Sequence, residues 1–286
     1  MTRWSLSVSR REFVRTSAFG IAAIGAGRPF PVLAARIQSA LSLGVIAPAG
    51  EAADGIALGI REAQHAAGLF GRQIAEVRLT DAAGWPEIQA LVFAGDPADA
   101  AKVAVECTRG GILFLNAVAP DDQLRRTGCT RMTFHVTASE SMRRAAAKSA
   151  GKSGADVEVE LWHPSLERFG AGQLNDRYRA TGKEMSSRAW PGWMAVKVAW
   201  ETFLRASEPS GRAMAAHLER DSTHFDGHKG APLSFRSWDH QLRQPLYVVS
   251  GEGNSVSEVP SLSRSDVPMR ELLDTIGDRE GQTRCE

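Results

Sequence analysis

The feature that most constrains this chain is a repeated pattern between Leu43 and Phe114, where an apolar run of strand length is followed by a break and then by helical or further apolar periodicity. Leu43-Gly44-Val45-Ile46-Ala47 is the first such run, stopped at Pro48-Ala49-Gly50. Ile56, Leu58, Ile60, Ala63, Ala66 and Ala67 follow at close to a 3.6-residue period and end at Gly68, a helix stop. Further strands are predicted at Ile74 to Leu79, Ala90 to Ala94 and Ile112 to Leu115, with a helix over Ala98 to Thr108 between the last two. Strands alternating with helices imply an α/β fold, a mostly parallel sheet flanked by helices, and such sheets bind ligands at the carboxyl ends of their strands. One link is anomalous. Only Ala82 to Gln89 separate the second and third strands, whereas a parallel crossover takes a dozen or more residues. Either the second strand is misplaced or a crossover helix is absent.

Charge narrows the function classes. Lysine plus arginine, 34, nearly equals aspartate plus glutamate, 33, and no basic stripe interleaves with aromatics, which argues against a nucleic-acid partner. No apolar run reaches the roughly 18 to 20 residues of a membrane span, so the mature protein is expected to be soluble. Near the N-terminus, Ser9-Arg10-Arg11-Glu12-Phe13 precedes a small, weakly apolar stretch from Ala18 to Ala26. Paired arginines in that position, here Arg10 and Arg11, are what the twin-arginine export machinery reads. Val32-Leu33-Ala34 offers a cleavage site, giving a signal peptide over 1–34 and export to the periplasm; the alternative is a basic N-terminal helix. In an oxidising compartment Cys107 and Cys129, which flank the fourth strand, are expected to form a disulfide, the alternative being two buried free thiols, and the sequence gives Cys285 no partner.

Beyond Arg131 come a strand at Met132 to Val136, a helix opened by Ser139 and running through Ala150, and a half-exposed strand at Val157 to Leu161. Leu166, Phe169, Leu174 and Tyr178 are spaced for an amphipathic helix. Trp190 to Ala206 is the strongest helical pattern, and its aromatic stripe reads as a core-facing cover for the sheet. His224 to Val249 reads as turns and short strands; beyond Glu252 serines, prolines and charges dominate, with one short element at Leu272 to Gly277. Two motifs carry no function. Gly151-Lys152-Ser153 lacks the earlier glycine and leading strand of a phosphate loop, and Asp226-Gly227 is a turn signal that splays the alternating His224, Asp226 and His228. No metal ligand set, catalytic residue or cofactor is expected.

The opening strand and loop, Gly59-Ile60-Arg61-Glu62-Ala63 leading to Ala67 through Arg72, Gly111 to Asn116, and Phe225 to Gly230 through Phe235 together resemble the type 1 periplasmic solute-binding proteins of ABC importers, in the branched-chain amino-acid (Leu/Ile/Val) group. Trp193 to Lys197, Leu233 to Arg236, Trp238 to Leu246 and Leu273 to Gly277 are similar to the subgroup associated with quinoprotein-dependent alcohol catabolism. The resemblance implies two α/β lobes with a solute clamped between them. Here the chain passes from the helix ending at Ala150 almost directly to Val157 through Pro164, which resembles the return crossing, so one nearly complete lobe is expected and most of the second is missing. The resulting division is 35–142 as the first part of the N-terminal lobe, 143–164 as a shortened crossing, 165–250 as the rest of that lobe, and 251–286 as a C-terminal tail.

The resemblance places the ligand on loops after strands: Pro48 and Ala49; Gly95, Asp96, Pro97 and Ala98, where a helix N-terminus presents N–H groups; and Val118 and Ala119. Asp96 would repel a carboxylate. The implied function is the periplasmic binding component of an ABC transporter, non-enzymatic, taking a small amino-acid-like or alcohol- or acid-type solute with affinity reduced or lost, and partnered by a membrane permease. The alternatives are an exported protein-interaction module, or a degenerate binding protein with no solute function, self-associating through the face the missing lobe leaves open. An exported enzyme is disfavoured by the absence of a nucleophile elbow, a paired-histidine metal motif or a dinucleotide glycine fingerprint.

Overall fold

A computed structural model describes residues 40–80, 85–151, 157–251, 255–263, 266–281 and 285. Arg10, Arg11 and the whole of 1–34 lie outside the described residues, as does Lys152-Ser153.

The chain opens with β1 (Leu41–Ile46), α1 (Glu51–Leu69), β2 (Ile74–Arg78), β3 (Ala90–Phe93), α2 (Ala100–Gly110), β4 (Leu113–Asn116) and β5 (Thr133–His135). These five strands form one parallel sheet in the order β2-β1-β3-β4-β5. The mixed α/β architecture with a parallel, helix-flanked sheet is therefore as the sequence implies. Leu91, Val92, Leu113, Phe114 and Leu115 are fully buried, as strands covered on both faces require. The second strand is not misplaced: β2 pairs in register with β1, Leu41 opposite Ile74 through Val45 opposite Arg78. No crossover helix stands among the described residues between Leu79 and Ala90.

Then follow α3 (Glu140–Ser149), β6 (Val157–Glu160), α4 (Ala171–Arg179), α5 (Ala189–Arg205) and α6 (Gly211–Leu218). Ser139 caps α3 by accepting from the Met142 N–H at 3.0 Å, and Ser210 caps α6 through Ala213 at 3.2 Å. The amphipathic stretch from Leu166 becomes helix only at Ala171, because Phe169 (φ 58°) and Gly170 (φ 82°) are left-handed and break it. On one face of the sheet α5 lies beside α1, buried nearly all round. Their backbones approach closely because small residues face each other at the crossing. A Cβ on Gly55 would stand 1.9 Å from the Ala189 carbonyl oxygen, and one on Gly192 would stand 2.5 Å from that of Ala52. On the opposite face α2 covers β3 and β4, burying Val103, Ala104 and Cys107 against Leu91, Phe93 and Phe114.

The last third contains β7 (Phe225–Asp226), β8 (Pro232–Phe235), β9 (Leu242–Arg243), β10 (Leu246–Ser250), β11 (Ser255–Val259) and α7 (Met269–Leu273). β7, β8 and β9 form one small antiparallel sheet, and β11, β10 and β6 another. The serine-rich stretch after Glu252 thus contributes a strand, β11, whose partner β10 supplies the apolar side of the pair. The segment Trp238 to Gln244 closes the exposed edge of β5: the His135 N–H donates to the His240 carbonyl at 2.9 Å, and Gln241 Nε2 donates to the carbonyls of His135 (3.1 Å) and Thr137 (3.0 Å). The buried Arg125 guanidinium donates to Gln241 Oε1 (2.6 Å) and the Thr137 carbonyl (2.9 Å), so the edge is closed by an isolated parallel bridge between His135 and Gln241 together with side-chain donors, not by a full strand.

The cysteine expectation is corrected. The disulfide joins Cys129 to Cys285, and Cys107 is free. Cys107 sits on the sheet-facing side of α2 with no exposed surface, and burial pushes its thiol far above the ordinary range. Cys129 instead lies beside the C-terminal segment, which Arg126 holds through a two-pronged pair with Asp278 at 3.0 and 3.1 Å.

Candidate functional site

The carboxyl ends of β1 and β3 and the start of α2 enclose a cavity of about 400 Å³. Its floor is apolar, formed by Ile46, Leu79, Phe93 and Val103. Gly95 lets that floor close, since a Cβ there would come within 3.0 Å of the Phe93 ring and 3.1 Å of Ile46. The rim is polar and charged, with Thr80, Asp96, Asp99 and Lys102 around it. Asp99, Lys102 and Val103 share a face of the turn that opens α2, which is why one helix supplies acid, base and apolar groups together.

Among the residues the sequence singled out, Pro48, Gly95 and Asp96 line this cavity. Ala49, Pro97 and Ala98 are exposed in the same loops but do not line it. The helix N-terminus is already occupied: Asp96 Oδ1 accepts from the Ala98 N–H at 3.0 Å, and Pro97 has no N–H to offer. A solute carboxylate therefore meets a carboxylate where it would seek donors. Val118 and Ala119 belong to a different environment. Asn116 folds their loop onto itself, Oδ1 accepting from the N–H groups of Val118 (3.1 Å) and Ala119 (2.9 Å) while Nδ2 donates to the Ala119 carbonyl (2.8 Å). Ala119 is fully buried and its carbonyl also accepts from Arg125 at 3.2 Å. The lining residues that sequence reasoning missed are Leu79, Thr80, Asp99, Lys102 and Val103, and the available signal was the i, i+3, i+4 spacing of the last three.

A second cavity of about 410 Å³ lies among Phe169, His228, Lys229, Tyr247 and Glu258. Lys229 is wholly buried, and burial pulls its ammonium well below the ordinary range. The Nζ protons are nevertheless placed: one on Gln244 Oε1 at 2.8 Å, one on the Pro245 carbonyl at 3.2 Å, with the Trp190 ring centroid 3.8 Å away. This lysine reads as a structural tie between the hairpin and α5. His224, Asp226 and His228 do not form a three-residue cluster: Asp226 accepts from the His228 N–H at 2.8 Å in a turn and its Oδ2 lies 3.7 Å from His228 Nδ1, without His224 joining them. No helix among the described residues is long and apolar enough to cross a membrane.

No protein-family model and no curated protein matches the sequence. The fold has solved counterparts. A leucine-, isoleucine-, valine-, threonine- and alanine-binding protein from Brucella ovis superposes with a TM-score of 0.61 at 12% identity, over 78% of this chain and 95% of that one. A periplasmic binding protein from Burkholderia mallei gives 0.65 at 13% identity, over 87% and 98%. A solute-binding protein of an R. palustris ABC transporter, in complex with benzoate, gives 0.61 at 12%, over 77% and 96%. The structural neighbours are type 1 periplasmic binding proteins of ABC transporters, and this chain shares their fold.

Proposed function

We propose that the chain is the exported solute-binding component of an ABC-type importer and holds a small solute in the cavity at the ends of β1 and β3, without converting it. The observation that carries this reading is the coincidence of that cavity with the strand ends where the fold binds ligands. Support comes from the neighbours, whose solutes include leucine and benzoate, small molecules with an apolar body and one polar end. The cavity has the same division, an apolar floor of Ile46, Leu79, Phe93 and Val103 beneath a charged rim. Two rim carboxylates beside one lysine favour an amino-acid-like zwitterion or an alcohol over a simple acid. Export through Arg10 and Arg11 and delivery to a membrane permease complete the proposal.

Thermal denaturation against amino acids, short alcohols, their carboxylic acids and benzoate tests it. A ligand bound only by the folded state adds about 2.7 kcal/mol at a hundredfold excess over its dissociation constant. The expected result is a raised midpoint with one chemical class, abolished by Thr80→Trp at the rim. A cooperative transition that no compound moves would overturn solute binding and transfer weight to an interaction module.

A further inference from the structure

The Cys129–Cys285 disulfide lies against His240, and the two Sγ atoms and an imidazole nitrogen are all within 4.8 Å of one another. Cys129 and His240 are buried and Cys285 half-buried, so the cluster is held inside the fold rather than gathered on its surface. His240 is fixed in orientation. Its ring stacks on Phe134 with centroids 4.2 Å apart, and Nδ1 lies 3.0 Å from the Thr133 carbonyl oxygen. A carbonyl only accepts, so Nδ1 donates to it, and in the neutral ring that leaves the lone pair on Nε2. A histidine that donates its other N–H to a backbone carbonyl is the usual arrangement of a metal-ligating imidazole. Glu219 Oε1 lies 3.8 Å from His240 Nε2.

We propose that in the reduced protein Cys129, Cys285 and His240 form a Cys₂His site for a thiophilic divalent cation such as Zn²⁺, with water in the fourth position. Bond lengths near 2.3 Å to sulfur and about 2.0–2.1 Å to nitrogen set tetrahedral donors roughly 3.5–3.8 Å apart, so the sulfurs must separate while His240 keeps its place. Reduction by a dithiol breaks the S–S bond and delivers two electrons and two protons, the dithiol closing to its own disulfide. Metal binding then releases the two thiol protons as the thiolates coordinate. One position thus joins the C-terminal segment to the body of the fold in two ways, by a disulfide when oxidised and by a metal when reduced.

The test uses the full chain reduced with a dithiol, freed of reductant under anaerobic conditions, and titrated with Co²⁺ as a spectroscopic probe. The expected result is one equivalent bound with a thiolate-to-cobalt charge-transfer band, displaced by Zn²⁺ and absent from the oxidised protein. Cys107→Ser should keep the band, and Cys129→Ser or Cys285→Ser should lose it. Loss of an outer partner alone costs about 10- to 100-fold in metal affinity, so His240→Gln is expected to cost more. On the unmutated chain, Zn²⁺ should protect Cys129 and Cys285 from alkylation. Absence of the band, a band indifferent to Cys129→Ser, or equal alkylation with and without Zn²⁺ would overturn the proposal. So would loss of near-ultraviolet circular dichroism on reduction, because Cys129 and His240 would then no longer be brought together.

Discussion

Replacing Asp274 by asparagine should cost this protein more stability than removing any surface ion pair. Its carboxylate accepts from Arg236 Nε at 2.9 Å and from Arg243 Nε at 2.9 and 3.0 Å, and the two guanidinium side chains are 0% and 2% exposed. Both cations flank Trp238, at 5.6 and 5.2 Å from its ring centroid, so neither can turn outward without opening the core. Breaking a buried pair from one side costs about 3–5 kcal/mol because the remaining charge stays buried and uncompensated. Two facts lower that figure: Asp274 is itself 21% exposed, and Arg236 keeps Asp239 at 3.4 Å and the Ile276 carbonyl at 2.5 Å. Among the described residues Arg243 then keeps Ser234 Oγ and the Phe235 carbonyl as hydrogen-bond acceptors, and its Nη2 has no partner. About 3 kcal/mol is therefore expected, which for a domain of this size lowers Tm by about 6–12 °C. Calorimetry on the oxidised protein gives the number, with Asp176→Asn as the exposed control, expected within about 0.5 kcal/mol of the parent. A loss below about 2 °C for Asp274→Asn would refute the reasoning and mean that water reaches both arginines.

Other outcomes follow from the same contacts. Gly55→Ala drives a methyl into the Ala189 carbonyl, so it should destabilise by about 1–3 kcal/mol in urea unfolding. Cys285→Ser opens a link spanning 156 residues and should lower stability by up to about 5 kcal/mol in the chain-entropy picture, read as a lower urea midpoint without reductant. His135 and His240 are held below the ordinary imidazole value of 6.5, first of all by burial, so below that pH the unfolded chain binds more protons and stability falls with pH. Each buried histidine that stays neutral should cost about 1 kcal/mol between pH 7 and 5.5, and His135→Gln should remove its share of that slope. Asp96→Asn keeps a helix-capping side chain but removes the rim charge, so its Tm should hold while thermal shifts with carboxylic acids strengthen.

What the sequence made legible was what depends on neighbours along the chain. Strand runs such as Leu91-Val92-Phe93 and the cap at Ser139 are local, and they appear where periodicity puts them. The disulfide was misassigned because Cys107 and Cys129 are near each other in sequence, whereas the pairing is decided by Arg126 and Asp278, 152 residues apart. The closure of the β5 edge was equally unreadable. Gln241 and Gln244 reach across more than a hundred residues to the carbonyls of Thr137 and Val136, and nothing in a glutamine's surroundings marks it as an edge cap. The cavity was half legible: glycine and proline after a strand located its loops, but not that Leu79 and Val103 would floor it.

The anomaly in strand spacing and the cavity have one physical origin. In a doubly covered parallel sheet, the helix between two strands packs on the face over which it crosses, and β2 joins β3 across β1 with no helix among the described residues. On that face α2 shields β3 and β4, but Val77 and Leu79 keep only partial cover. Ile46, Leu79, Phe93 and Val103 consequently become the floor of a 400 Å³ space instead of the seat of a helix. An apolar solute there takes over part of the burial that a crossover helix would provide, at about 25 cal/mol per Å² of apolar surface covered. Solute binding and stability are then coupled through the same surface. A solute that reaches only the polar rim would raise Tm less than one whose apolar body covers Leu79 and Phe93, and a series of alcohols of increasing chain length should raise the midpoint stepwise until the cavity is full.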